Sequence, residues 1–235
     1  MRKRARQFWG DFFGLDPQEL EQPGARVVPH CGLGDYAGAW IFWRDDTLLL
    51  STPPDLVDET RAALQATMDM LREPERLAGI FSDRAERMIG PAYQGYLDPA
   101  EFRPHQSAGA SAVPVDEHLV HGLRTACDPE EWSHAGIEPE RPEPCFGYLI
   151  DNRLVALAQN AFWSEATVSP GIIVHPGYRG RGYGKAVLAA AASDALQHDH
   201  LVLYQTLLGN TPAVRAASAL GFTQFATHLA VRFRV

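Results

Sequence analysis

A chain of 235 residues with 46% hydrophobic residues, 21 Lys and Arg against 29 Asp and Glu, and a net charge of -8 has a globular composition, which excludes disordered, collagenous and coiled-coil classes. The length predicts one or two domains. The acidic balance argues against a large nucleic-acid footprint, which needs clustered cations, and suits a cationic partner.

The chain opens on a basic run, Met1 to Arg6, followed by Phe8, Trp9, Phe12 and Phe13 on one helical face, which reads as an element docked on its own domain rather than on a membrane. Gly10, Asp11 and Gly14 interrupt any signal-like apolar core, and no apolar run approaches the ~18 residues of a membrane span. A short strand is expected at 27–30, then strands at 39–43 and 47–51 joined as a hairpin across Arg44, Asp45 and Asp46. Thr52-Pro53-Pro54-Asp55 punctuates the chain before a helix at 56–71, and a second helix is expected at 83–88, stopped by Gly90-Pro91.

Residues 104–114 are small, polar and unpatterned, the composition of a linker, and divide the chain into an N-terminal α+β accessory domain at 1–105 and a second domain at 106–235. The second domain reads as a helix at 116–126 capped by Asp116, a short helix begun by Asp128-Pro129, and strands at 145–150 and 154–163 around the turn Asp151-Asn152-Arg153. A strand at 167–174, an Ala-rich helix at 184–197, a strand at 201–207, a helix at 212–220 and a last strand at 222–233 follow. No internal repeat is visible. The three cysteines, Cys31, Cys127 and Cys145, lie far apart without a CxxC pair, so neither a disulfide framework nor a zinc cage is expected and a cytoplasmic setting fits.

One segment carries chemistry: Gly171-Ile172-Ile173-Val174-His175-Pro176-Gly177-Tyr178-Arg179-Gly180-Arg181-Gly182-Tyr183-Gly184-Lys185. A strand runs through a glycine-rich, cationic loop into a helix of small residues, which is an anion cradle: glycines admit close backbone approach, and unpaired amides at a helix start point at a phosphate. Arg179, Arg181 and Lys185 add charge. The dinucleotide fingerprint fails because the third glycine comes one residue early, and the P-loop fails because Arg179 occupies its first glycine and Ala186 the Ser/Thr position. Arg-x-x-Gly-x-Gly fits, as Arg179, Gly182 and Gly184.

With Asn210-Thr211-Pro212-Ala213 and Leu220-Gly221-Phe222 downstream, beyond an intervening helix and strand, the segment resembles the acetyl-CoA-binding core of the GNAT superfamily of N-acetyltransferases over roughly residues 114–235. The resemblance implies an α/β (α+β) fold: a mixed sheet flanked by helices and splayed between the strand ending at Val174 and that at 201–207. It also implies acetyl-CoA as co-substrate, the backbone of Ile172, Ile173 and Val174 on the pantetheine, and the amides of Arg179, Gly180, Arg181, Gly182, Tyr183 and Gly184, with Lys185, on the pyrophosphate. Asn210 would reach the thiol end.

Family chemistry is attack of a neutral amine on the thioester, which calls for a base, a donor to the carbonyl oxygen and an acid for the thiolate. Glu165 is the candidate base and a strand amide near Val174 the donor. The position that many members fill with the acid Tyr is Ala217 here, leaving Tyr204 and Ser218 as candidates, or an unassisted thiolate. The implied acceptor is a small, cationic primary amine; a non-catalytic CoA-binding module and a protein N-acetyltransferase are the alternatives, and a homodimer is compatible with either. Arg87-Met88-Ile89-Gly90-Pro91-Ala92 also meets the loose loop pattern but lacks a preceding strand and reads as a helix end. His118 and His121 read as a solvated helix face, with no metal site.

Overall fold

The computed structural model describes residues 2–66, 76–105, 110–113 and 117–234. Its contacts divide the chain into two units, one of residues 2–94, 205–209 and 224 onward, the other of residues 95–204 and 210–223.

The first unit contains helix α1 (Arg2–Phe13), strands β1 (Gly24–Pro29), β2 (Gly38–Arg44) and β3 (Thr47–Thr52), helix α2 (Val57–Ala66), and most of strand β4 (Ala85–Leu97). Asp45 takes the left-handed conformation, with φ of 50°, to turn β2 into β3, and Arg44 pairs with Thr47 across it. β3 then pairs in parallel with β1. On its other edge β2 pairs antiparallel with a strand from the far end of the chain, Gly38 through Trp43 lying against residues Thr227 to Arg232.

The near-continuous apolar run of β2 follows from burial on both faces. Ile41 packs with Leu48, Leu50, Leu64, Leu77, Phe81 and Val231. Phe42 and Trp40 point the opposite way, where α1 lays Trp9 and Phe13 each 5.1 Å from the Phe42 ring and Phe12 5.5 Å from Trp40. The aromatic face of the first helix therefore docks on its own sheet, as its spacing predicts.

One expectation fails in this unit. Residues 83–88 do not form a helix; 85–97 are a strand, β4. Helix-favouring Ala85, Glu86, Arg87 and Met88 are overridden by pairing, in which Arg234 N–H donates to Arg84 O at 2.9 Å and Gly90 packs so tightly that an added Cβ would lie 2.9 Å from His228 O. The loose loop pattern at Arg87 thus lies on a strand with no helix start to hold an anion. The expected helix at 56–71 is described as α2, from Val57 to Ala66; residues 67–71 lie outside the described residues.

The second unit contains strand β5 (Ala110–Val113), helices α3 (Glu117–Ala126) and α4 (Pro129–Ala135), strands β6 (Cys145–Ile150), β7 (Arg153–Ser164) and β8 (Thr167–Val174), helix α5 (Tyr183–Gln197), the start of strand β9 (Leu201–Leu207) and helix α6 (Thr211–Ala219). Strand β10 (Phe222–Phe233) begins here and ends in the first unit. The strands run in the order β9-β8-β7-β6-β5, antiparallel except for β8 with β9.

Strand alternation again feeds two layers. Leu157 and Ile173 meet Val120, Leu123 and Trp132 of α3 and α4 on one face, while Ala156 and Ala158 meet Val187 and Ala191 of α5 on the other. The alanines let α5 lie close to the sheet, and Asn160 Nδ2 donates to Ala191 O at 3.0 Å. Asp128 caps α4 as expected, accepting from the amides of Glu130 and Glu131 at 2.8 and 3.2 Å.

A single cut between 105 and 106 does not describe this packing, because residues 95–105 belong with the second unit and 224–234 with the first. The proposed linker is also ordered in part: 110–113 form β5 against β6. Residues 106–109, 114 and the proposed cap Asp116 lie outside the described residues. Among the described residues no helix is long and apolar enough to cross a membrane, and no cluster of His, Cys, Asp and Glu could hold a metal ion.

Candidate functional site: a splayed strand pair and a glycine-rich loop

Strands β8 and β9 pair only at Thr167 with Leu201 and Val168 with Val202, and then part. A proline explains where they part. His175 N–H donates to Val155 O of β7 at 2.9 Å, and successive strand residues turn their backbone groups to opposite neighbours, so Ile173 and Gly171 also face β7. Pro170, Ile172 and Val174 therefore face the β9 side. Pro170 has no N–H to give, so the parallel ladder ends there, and the amides of Ile172 and Val174 line the open edge. Ile173 contributes no backbone group to that edge; its side chain is in the core.

Beyond Val174 a short turn, Pro176–Tyr178, leads to Gly180 and Gly182, with φ of 76° and 85°, left-handed values that suit glycine. Gly182 is the N-cap of α5 and offers no side chain, and the first helical bond is Ala186 N–H to Gly182 O at 3.0 Å. The amides of Tyr183, Gly184 and Lys185 thus project from the helix start with the positive end of its dipole behind them. A Cβ on Gly184 would lie 3.0 Å from Val174 Cγ2, so the glycine seats the helix start against the end of β8.

The cations divide their work differently from the expectation. Arg179 does not direct its guanidinium into the amide cradle. It grips Glu131 of α4, Nη1 to Oε1 at 3.1 Å and Nη2 to Oε2 at 2.6 Å, and its Nε donates to Val174 O at 3.3 Å. Hydrogen bonding to Glu131 is the main cause that raises the Arg179 pKa further. Arg179 is thus a brace between α4 and the end of β8. Arg181 lies over the Tyr178 ring, 5.4 Å from its centroid. Beside the cradle, His105 Nε2 would be 3.8 Å from a Cβ on Gly182, and burial followed by the charge of Lys185 lowers the His105 pKa.

The candidate catalytic residues are not brought together. Glu165 is exposed in the turn between β7 and β8, seven residues from Ile172 along extended chain, roughly 20 Å at ~3.3 Å per residue, and on the far side of the paired end. It is not at the open edge. Ser218 is exposed on α6, and Ala217 is fully buried. Tyr204 lies nearest the open edge by register: continuing the pairing of Thr167 with Leu201 sets its backbone across from Pro170, and its buried ring packs 5.6 Å from that of Phe222. Asn210 caps α6, accepting from Ala213 N–H at 3.3 Å, so its side chain has a structural task.

Sequence reasoning missed Glu131, Arg153, His175 and His105. The partners of Arg179 and His175 lie 48 and 22 residues away, on other elements, and no local pattern marks such pairings.

Residues 117–222 match the model of the Acetyltransferase (GNAT) family. No curated protein matches the chain. Among solved structures, a GNAT-family protein from Novosphingobium aromaticivorans is 20% identical, with 65% of this chain and 68% of that one covered and a TM-score of 0.52. A GNAT-family acetyltransferase from Colwellia psychrerythraea is 18% identical, with 84% and 81% covered and a TM-score of 0.53. A GCN5-related N-acetyltransferase-like protein from Streptococcus suis is 14% identical, with both chains covered completely (100%) and a TM-score of 0.50. At these identities the likeness is one of fold.

Proposed function

The chain carries the GNAT acetyltransferase fold, with the family match running over residues 117–222, and from that premise we propose that it transfers an acetyl group from acetyl-CoA to a primary amine by direct attack on the thioester. The observation that carries this reading is the continuity of the open edge of β8 with the uncapped start of α5.

Acetyl-CoA, when bound, supplies an acyl group activated as a thioester. The amide of Ile172 donates to the carbonyl oxygen as it gains charge in the transition state, a fixed donor that needs no reorganisation. The amide of Val174 holds the pantetheine arm, and those of Tyr183, Gly184 and Lys185 hold the pyrophosphate. Tyr204 is the hydroxyl assigned to the departing thiolate, in place of the one that Ala217 lacks. The acidic net charge of -8 favours a cationic amine as acceptor, and the three cysteines, all unpaired, support a reducing, cytoplasmic compartment.

Calorimetric titration with acetyl-CoA, followed by a thiol-release assay over polyamines, aminoglycosides and amino acids, tests the reading. Expected are a dissociation constant well below ~1 mM and release of thiol that depends on the acceptor. Tyr204→Phe should lower kcat about 100-fold or more, as loss of general acid catalysis does, and leave acetyl-CoA affinity unchanged. Absence of binding overturns the proposal; binding without release for any acceptor replaces it with the non-catalytic module that the buried Ala217 favours.

A further inference from the structure

His175 and Arg153 present a mismatch of donors. A neutral imidazole has one lone pair and one N–H. Gly177 N–H donates to His175 Nδ1 at 3.1 Å, and Arg153 Nη2 stands 2.7 Å from His175 Nε2. Both ring nitrogens are therefore faced by obligate donors. If Nδ1 accepts from Gly177, Nε2 carries the hydrogen and confronts a guanidinium N–H. The opposite tautomer only moves the conflict to Gly177, and protonation of the ring makes it worse.

The backbone amide of Gly177 is fixed by its turn, whereas Arg153 is an exposed side chain. The pair is thus relieved by an acceptor placed between Arg153 and Nε2–H. The surroundings select a charged one. Arg181 and Arg153 both lie against the Tyr178 ring, their Cζ atoms 5.4 and 6.0 Å from its centroid, and the His175 ring meets the same Tyr178 edge-on at 5.2 Å. Burial first, and then the charges of Arg153 and Arg179, hold the His175 pKa below its ordinary value. Arg179 is neutralised by Glu131, whereas among the described residues no acid pairs with Arg153 or Arg181.

The geometry points to a phosphomonoester subsite made by Arg153, Arg181 and His175 Nε2–H, distinct from the amide cradle at the start of α5. Resting on the proposed use of acetyl-CoA, its ligand is the ribose phosphomonoester of CoA, the group that dephospho-CoA lacks. Such a dianion offers acceptor oxygens to all three donors at once.

The test is a calorimetric comparison of CoA and dephospho-CoA on the full chain and on Arg153→Gln and Arg181→Gln, both replacements of exposed side chains. The native chain should bind CoA at least about 10-fold more tightly than dephospho-CoA, the scale of a charge-assisted hydrogen bond. In each variant that ratio should fall toward one. Equal affinity for the two ligands in the native chain, or a ratio unchanged in both variants, overturns the subsite and leaves the proposed acetyl donor standing. Failure of the native chain to bind either ligand overturns both.

Discussion

Arg179 and Glu131 form a two-pronged ion pair, at 3.1 and 2.6 Å, that fastens α4 to the carbonyl end of β8. Each side chain is 47% exposed, so the pair itself contributes little to global stability, about 0.5 to 1 kcal/mol as surface pairs do. Its effect is local. Glu131→Ala should lower acetyl-CoA affinity several-fold, because Arg179 no longer holds Val174, while urea unfolding shifts by less than about 1 kcal/mol. Glu131→Asp should recover part of the affinity. Binding unchanged in Glu131→Ala would show that the brace has no bearing on the cofactor edge.

The two loop glycines should respond differently to alanine. Gly182 has φ of 85°, where a Cβ costs about 1 to 2 kcal/mol, and relaxing that strain turns the first amides of α5. Gly184 has no such backbone strain; its Cβ would meet Val174 Cγ2 at 3.0 Å, a contact that a shift of a few tenths of an ångström absorbs. Gly182→Ala should therefore weaken acetyl-CoA binding by more than Gly184→Ala. The reverse order, read by titration calorimetry, would refute the assignment of the amide cradle.

Gly171 is required for a separate reason. A Cβ there would lie 1.9 Å from Ala135 O at the end of α4, backbone that cannot swing aside. Gly171→Ala should cost about 3 kcal/mol, the upper range of overpacking, measured by urea unfolding. Since α4 also carries Glu131, the variant should lose acetyl-CoA affinity as well. A near-native unfolding midpoint would contradict this tight approach of helix to strand.

His228 sets an acid limit on the fold. It is 5% exposed, stacked on Trp40 with centroids 4.5 Å apart and joined through Nδ1 to the Gln94 amide nitrogen. Burial pushes its pKa down from 6.5 to about 4. The unfolded chain takes up this proton first, so the contribution of neutral His228 is complete above pH 6.5 and falls as pH drops toward 4. The slope is about 1.4 kcal/mol per pH unit. Urea unfolding across that range should show this slope as the difference between the native chain and His228→Gln, which has no charge to gain; parallel profiles would rule it out.

The run of strand, loop and helix from 167 to 197 was legible in the sequence because its causes are local. Strand 167–174, its glycine loop and the alanine helix follow one another, and each boundary is set by residue type: Pro170 ends a ladder, Gly182 starts a helix, Asp128 caps another. What stayed hidden is non-local. Residues 83–88 have helical propensity and become strand only through β10, which lies far along the chain. Glu131 lies in the first turn of α4, and its engagement of Arg179 depends on how α4 crosses β8. Glu165 was chosen for nearness in sequence to the central strand, but extended chain carries a near neighbour away quickly.

The pairing of β2 with β10 also bears on the order in which the protein is made. Gly38 through Trp43 are synthesised early, and the residues that cover their edge, Thr227 through Arg232, follow only after the whole second unit has been translated. During that interval β2, apolar on both faces, has one unpaired edge, the feature that recruits wrong partners. A nascent chain stalled before β10 should therefore bind general chaperones and resist release, even though its GNAT-fold unit contains nearly all of its own strands.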